Sequence, residues 1–116
     1  MFDSIDKILA STKEARQHNN KDKILMNAQA CLDYLPAIIK YEVEQEHQYR
    51  VYEAKLTQER DEVGKLRTSS YCETHAKATQ FYAEYRKAQL FRDLLYEVVM
   101  MSKKIAKSGD QELNAQ

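Results

Sequence analysis

Glycine and proline are scarce in this sequence, which contains two glycines and one proline among 116 residues. A β-sandwich or β-barrel of this size needs turn residues at short, regular intervals, so their scarcity argues against both folds. Lys, Arg, Glu, Gln and Ala are plentiful, whereas Val and Thr are few, and this composition is typical of long helices. We therefore expect an all-α protein that forms one domain.

Long apolar runs are also missing. The start of the chain, Met1 to Asp6, is acidic and offers no apolar stretch long enough for a signal peptide or a membrane span. Two cysteines, Cys31 and Cys72, are too few for a disulfide framework. These features predict a cytoplasmic protein with reduced thiols that does not bind a membrane.

The formal net charge is zero, but the charged residues are unevenly distributed along the chain. Acids outnumber bases in 41–70, and bases outnumber acids in 71–107. Either the two segments pair with each other, the basic segment has an acidic partner, or both are solvated faces of ordinary asymmetry. The mean hydropathy of −0.73 indicates a thin core, and long polar helices of this kind gain stability by pairing. We therefore expect a homo-oligomer.

The apolar periodicity predicts a long antiparallel helical hairpin with two shorter N-terminal helices packed on it, forming a helical bundle. Ser4 is the expected N-cap of the first helix, and Gly64 to Ser70 the expected turn of the hairpin. Pro36 either kinks one helix or separates two. The predicted helices are 4–17, 22–35, 37–66 and 71–107 within a single domain 1–107, followed by a disordered acidic tail at 108–116.

A heptad pattern runs through the predicted helix 37–66, and apolar residues keep helical spacing through 71–107. The polar interruptions of the heptad pattern suit an antiparallel hairpin or a specific assembly better than an autonomous coiled coil. We call the apolar members of these two patterns the predicted seam. They are Ile38, Tyr49, Tyr52, Leu56, Val63, Phe81, Tyr85, Phe91, Leu95 and Val98.

Motifs for catalysis are lacking, because two glycines cannot form a Gly-rich phosphate loop and no strand is expected to carry a nucleophile elbow. We predict no enzyme, no cofactor and no small-molecule substrate. Glu44 and His47 stand three residues apart, as do Cys72 and His75, a spacing that di-iron proteins use. A di-iron site needs further carboxylates, so we interpret these four as solvated helix residues and predict no metal. Cys31 lies on an apolar face and is expected in the core.

Tryptophan is absent, yet there are eight tyrosines, and several lie beside basic residues. Proteins that bind single-stranded nucleic acid combine rings for stacking with cations for phosphates. The alternative is that the rings pack the hairpin and that the charges form a salt-bridged rim. The candidate nucleic-acid-binding residues are Tyr49, Arg50, Tyr52, Tyr82, Tyr85, Arg86, Lys87, Arg92 and Lys103.

The order of elements resembles the small all-helical accessory proteins of tailed bacteriophages, and in outline the recombination-mediator proteins of T4-like phages. The stretches that carry the likeness are Tyr34–Leu35 to Lys55–Leu56 and Tyr82 to Lys104. The resemblance implies a non-enzymatic homo-oligomer in a bacterial or phage-infected cell that binds single-stranded DNA and assists recombination. The alternative function is a protein-only adaptor or inhibitor that binds a host or phage protein through its helical hairpin.

Overall fold

The protein is all-α, as the composition predicts. A computed structural model describes the backbone of residues 1–115 and the side chains of residues 1–108. The predicted disordered tail therefore lies, from residue 109 onward, outside the described side chains. No β-strand occurs within 1–115, where the only extended pairing is an isolated antiparallel bridge between Arg60 and Leu66. The helices are α1 (Phe2–Gln17), α2 (Lys21–Gln58), α3 (Ser69–Lys77) and α4 (Gln80–Ala115).

The chain divides into two compact units, where the sequence predicts one domain. Unit 1 comprises 1–38 and 90–116, and unit 2 comprises 39–89. Both long helices contribute one segment to each unit.

Unit 1 encloses an apolar core formed by α1, the first part of α2 and the second part of α4. The rings of Phe2 and Phe91 pack beside it with their centroids 5.0 Å apart. Cys31 is a fully buried core residue, as expected, and burial raises the pKa of its thiol to about 11. The buried cluster consists of Ile5, Ala28, Cys31, Leu35, Ile38, Leu95, Val98 and Val99.

Polar contacts fix the junction between α1 and α2. The buried Asn27 side chain donates hydrogen bonds to Ser11 Oγ and Thr12 Oγ1, both at 3.1 Å. Asn20 caps α2, since its Oδ1 accepts from the Lys23 amide at 3.2 Å. The predicted N-cap of α1 is wrong, because that helix begins at Phe2 and Ser4 lies inside it.

Pro36 lies inside α2, which continues through it to Gln58. Of the two alternatives for Pro36, the separation into two helices, 22–35 and 37–66, is therefore wrong. Proline removes one backbone donor from a helix interior, but Leu35 and Ile38 on either side of it are buried in the unit 1 core. Burial of these flanking side chains offsets the loss of the hydrogen bond.

The predicted helix 37–66 is wrong beyond Gln58, because the chain forms a hairpin loop from Glu59 to Arg67. The Asp61 carboxylate accepts from the amides of Val63 and Lys65 at 3.0 and 2.9 Å. Gly64 adopts a φ of 82°, which glycine adopts without steric cost. These local bonds satisfy backbone groups that would otherwise continue the helix.

The predicted helix 71–107 is interrupted at Ala78 and Thr79, which separate α3 from α4. Thr68 caps α3 by accepting from the Tyr71 amide at 3.1 Å. Thr79 accepts from the Tyr82 amide at 3.4 Å and so serves as a cap at the start of α4. A threonine hydroxyl therefore caps the start of each of these two helices.

Because Pro36 is exposed and lies within a continuous helix, we expect Pro36→Ala to raise the free energy of unfolding by about 2 kcal/mol. The substitution restores a backbone donor and removes no buried side chain. Urea denaturation would measure the change. Lys40→Ala, at another exposed position of α2, is the control and should change the free energy by less than about 0.5 kcal/mol. An unchanged or lower stability for Pro36→Ala would contradict this account of α2.

Candidate functional site

Three of the predicted nucleic-acid-binding tyrosines form one cluster in unit 2. The ring centroid of Tyr49 lies 5.1 Å from that of Tyr82 and 6.3 Å from that of Tyr85. Tyr82 and Tyr85 lie 6.2 Å apart. These separations are typical of packed aromatic pairs, which stabilise a core beyond the area they bury.

Charged groups surround this tyrosine cluster. The guanidinium of Arg50 lies 4.7 Å from the centre of the Tyr49 ring, a cation–π contact. Burial raises the pKa of Tyr49. A hydrogen bond to Glu46, followed by burial, raises the pKa of Tyr85. Both effects disfavour ionisation of the Tyr49 and Tyr85 phenols.

Tyr41 links α2 to α4 within unit 2, because its hydroxyl donates to Glu84 Oε2 at 2.7 Å. Burial, and then the hydrogen bond and negative charge of Glu84, raise the pKa of Tyr41 to about 12. The bond aligns the two antiparallel segments at the polar edge of their contact.

The structure places the candidate nucleic-acid-binding residues in different environments. Tyr49 is only 2 % exposed, so neither face of its ring is open for stacking on a base. Tyr82 and Tyr85 are half-buried, and Tyr52 is exposed. The cations Arg50, Arg86, Lys87 and Lys103 are exposed, and Arg92 is half-buried.

The members of the predicted seam also separate into groups. Phe81 and Tyr52 are exposed, and Val63 is 77 % exposed in the hairpin loop, because α2 ends before it. Tyr85 and Phe91 are half-buried. The fully packed members are Ile38, Tyr49, Leu56, Leu95 and Val98.

A small polar cavity of about 310 Å³ lies in unit 2 between the end of α2 and the start of α3. Its wall includes Arg50, Glu53 and Glu73, so it carries mixed charge. The carboxylate of Glu73 accepts from Lys77 Nζ at 2.7 Å, which lowers the pKa of Glu73. Cys72 is 1 % exposed and does not present its thiol to solvent.

The metal-like spacings do not form a ligand set within the described residues. Glu44 and His47 are exposed on α2, and no group of three or more His, Cys, Asp or Glu side chains is close enough there to hold an ion. His75 packs against the Tyr71 ring with the centroids 4.0 Å apart.

A different surface stands out on α4 in unit 1. Burial of Leu95, Val98 and Val99 turns the opposite side of the helix to solvent. Leu90 and Met100 are 58 % and 53 % exposed there, and Tyr96 is 45 % exposed. We define the α4 face as these exposed positions at helical spacing: Leu90, Asp93, Tyr96, Glu97, Met100, Lys103, Lys104 and Lys107.

Beside the α4 face runs an open groove of about 590 Å³ that Arg16 of α1 also borders. Tyr96, Met100 and Met101 form its apolar part. The acids of the groove, Asp93 and Glu97, precede Met100, whereas Lys104 follows it. Apolar side chains flanked by charges of both signs are the usual composition of a protein-binding patch with a polar rim.

Lys103 is the one residue of the α4 face among the candidate nucleic-acid-binding residues, where its expected role is to contact phosphate. The available signal was the order of charges at steps of three and four, with acids in the first half and lysines in the second. That signal becomes interpretable only once the buried side of α4 is known, because the helix is apolar over a wide arc.

Among residues 1–115, no helical stretch combines the length and hydropathy that a bilayer crossing requires. No family model, curated protein or solved structure matches this chain.

Ionisation of Tyr41 should make stability depend on pH between 10 and 12. The unfolded phenol ionises near its ordinary pKa of 10, whereas the folded one ionises at about 12. The folded state therefore holds the proton more tightly, and its stabilisation is complete below pH 10 and is lost as the pH rises to about 12. We expect Tyr41→Phe to make this loss shallower.

Urea denaturation at a series of pH values would measure the effect, with the exposed Tyr52→Phe as the matched control. Glu84→Gln removes the negative charge and should lower the pKa of Tyr41, which ultraviolet titration of the phenols detects. A pH profile for Tyr41→Phe equal to that of the unsubstituted chain would refute the assignment.

Proposed function

We propose that this chain is a non-enzymatic, cytoplasmic interaction protein that binds another protein through the α4 face. The observation that carries the proposal is the exposure of Leu90, Tyr96 and Met100 on one side of a helix whose other side is buried in a core. Each of these side chains would gain about 1–2 kcal/mol from burial against a partner.

The composition of the α4 face supports a protein partner. Tyrosine and methionine are enriched at the centres of protein interfaces, where a ring or a flexible thioether fills an irregular surface. Charged side chains at the rim select the partner and its orientation more than they add affinity. The α4 face combines three apolar residues with two acids and three lysines, and Met100 lies between the acids and the lysines.

The tyrosine cluster of unit 2 supports the same choice. A protein that stacks bases on its rings needs those rings open to solvent. The Tyr49 ring is buried, and the rings of Tyr82 and Tyr85 pack against it. Burial of the Tyr49 ring favours the alternative interpretation, in which these three rings pack the hairpin.

Single-stranded nucleic acid is the second candidate partner, and the exposure of Arg50, Arg86, Lys87 and Lys103 favours it. Under this candidate the chain acts in nucleic-acid metabolism, as the resemblance to phage recombination mediators implies. Its affinity would depend on phosphate contacts and would fall steeply with added salt.

A photo-crosslinking amino acid in place of Met100, introduced in cells that naturally express this protein, tests the proposal. We expect discrete protein adducts on irradiation that survive nuclease treatment. The matched control places the same amino acid at Thr74, an exposed position on α3 outside the α4 face, and should give no such adducts.

A titration with fluorescent single-stranded DNA at low salt separates the two candidates. A flat titration together with adducts from position 100 supports the protein partner. Salt-sensitive DNA binding without adducts from position 100 would overturn the proposal in favour of the second candidate.

A further inference from the structure

We infer that the partner of the α4 face is a second copy of this chain, paired antiparallel about a two-fold axis at Met100. This inference rests on the proposed function, because it identifies the occupant of the same surface. Two features of α4 lead to it: the order of the charges on the face and the exposure of its centre.

From Asp93 to Lys107, the positions of the α4 face are symmetric about Met100. Tyr96 and Glu97 precede Met100 by four and three residues, and Lys103 and Lys104 follow it by three and four. Asp93 and Lys107 lie seven residues away on the two sides. In an antiparallel pair of helices related by a two-fold axis, a residue at a given distance before the axis faces the residue at the same distance after it.

The charges are complementary in this register. Glu97 of one copy faces Lys103 of the other, and Asp93 faces Lys107. Each pair occurs twice because the interface is isologous. Tyr96 faces Lys104, whose aliphatic stem can cover the ring while the ammonium remains in water. A parallel arrangement would instead place acids beside acids and lysines beside lysines, which is destabilising.

Exposed apolar surface lies at the centre of the same register. Met100 faces its own copy, and the exposed ring of Tyr96 lies one turn away from it. The thioether is flexible enough to pack against itself across an axis. The groove beside α4, which Arg16 borders, offers room for side chains of the second helix.

The length of the contact limits the area that the two copies can bury. The stretch from Asp93 to Lys107 spans about 21 Å of helix. A contact of this length buries less than the area of a standard interface, which is about 800 Å² for each partner. We therefore expect a reversible dimer with micromolar affinity that weakens as salt screens the charge pairs.

Two charge-reversal variants test the register. The basic variant carries Asp93→Lys and Glu97→Lys, and the acidic variant carries Lys103→Glu and Lys107→Glu. Each alone places like charges opposite each other, so its self-association should weaken on the order of tenfold or more. A mixture of the two restores every opposite-charge pair and should dimerise at least as tightly as the unsubstituted chain.

Analytical ultracentrifugation at low salt measures each variant and the mixture, and circular dichroism checks that both variants remain helical. A variant with the single substitution Met100→Cys should form a disulfide-linked dimer when it is oxidised with diamide. The matched control is Gln29→Cys, at an exposed position on α2, which should remain monomeric under the same treatment. Cys31 and Cys72 are buried and contribute little background.

A monomer at all concentrations, or a mixture no tighter than its components, would overturn the inference. If position 100 gives photo-adducts with a different protein while the purified chain remains monomeric, the inference fails and the proposed function stands. If position 100 gives no protein adduct and the purified chain remains monomeric, both fail.

Discussion

The burial of Leu95, Val98 and Val99 is the constraint on which the surface of α4 depends. These three side chains share one core with Ile5 and Ile38 in unit 1. All three can be buried in only one rotation of α4 about its axis. That rotation exposes Asp93, Glu97, Met100 and Lys104 to solvent. Each buried aliphatic side chain stabilises the fold by about 1.5–3 kcal/mol. The position of every charge on the α4 face therefore follows from an apolar contact on the opposite side of the helix.

Unit 2 is stabilised differently, through rings and hydrogen bonds more than aliphatic side chains. Tyr49 is buried among Tyr82 and Tyr85, and Tyr41 donates to Glu84 at the edge of the helix contact. Tyrosine suits a thin core, since its ring buries apolar area while its hydroxyl reaches a polar partner. This explains why a chain of low mean hydropathy carries eight tyrosines without exposing all of them as a stacking surface. The burial and hydrogen bonds that accompany this packing raise the pKa values of Tyr41, Tyr49 and Tyr85.

The errors of the sequence prediction share a cause. A separation into two helices at Pro36, one of the two alternatives, is wrong, because burial of Leu35 and Ile38 stabilises one continuous helix around it. The heptad pattern was extended to Leu66, but the Asp61 carboxylate binds two backbone amides and forms a hairpin loop. Thr79 was placed inside a helix, but its hydroxyl accepts an amide hydrogen bond and begins α4. Each outcome depends on a competition of a few kcal/mol between local hydrogen bonds and packing, and periodicity alone does not measure that competition.

By itself, the sequence determined the fold class, because two glycines, one proline and helical spacing of apolar residues leave few alternatives to an all-α chain. It also determined the order of charges on α4, which is a property of the chain and not of its packing. The tertiary structure alone decided which tyrosines are covered and which side of α4 is exposed. The physical reason is that α4 is apolar over a wide arc, so several faces could have been buried, and only the contacts of Leu95, Val98 and Val99 with the rest of unit 1 select one.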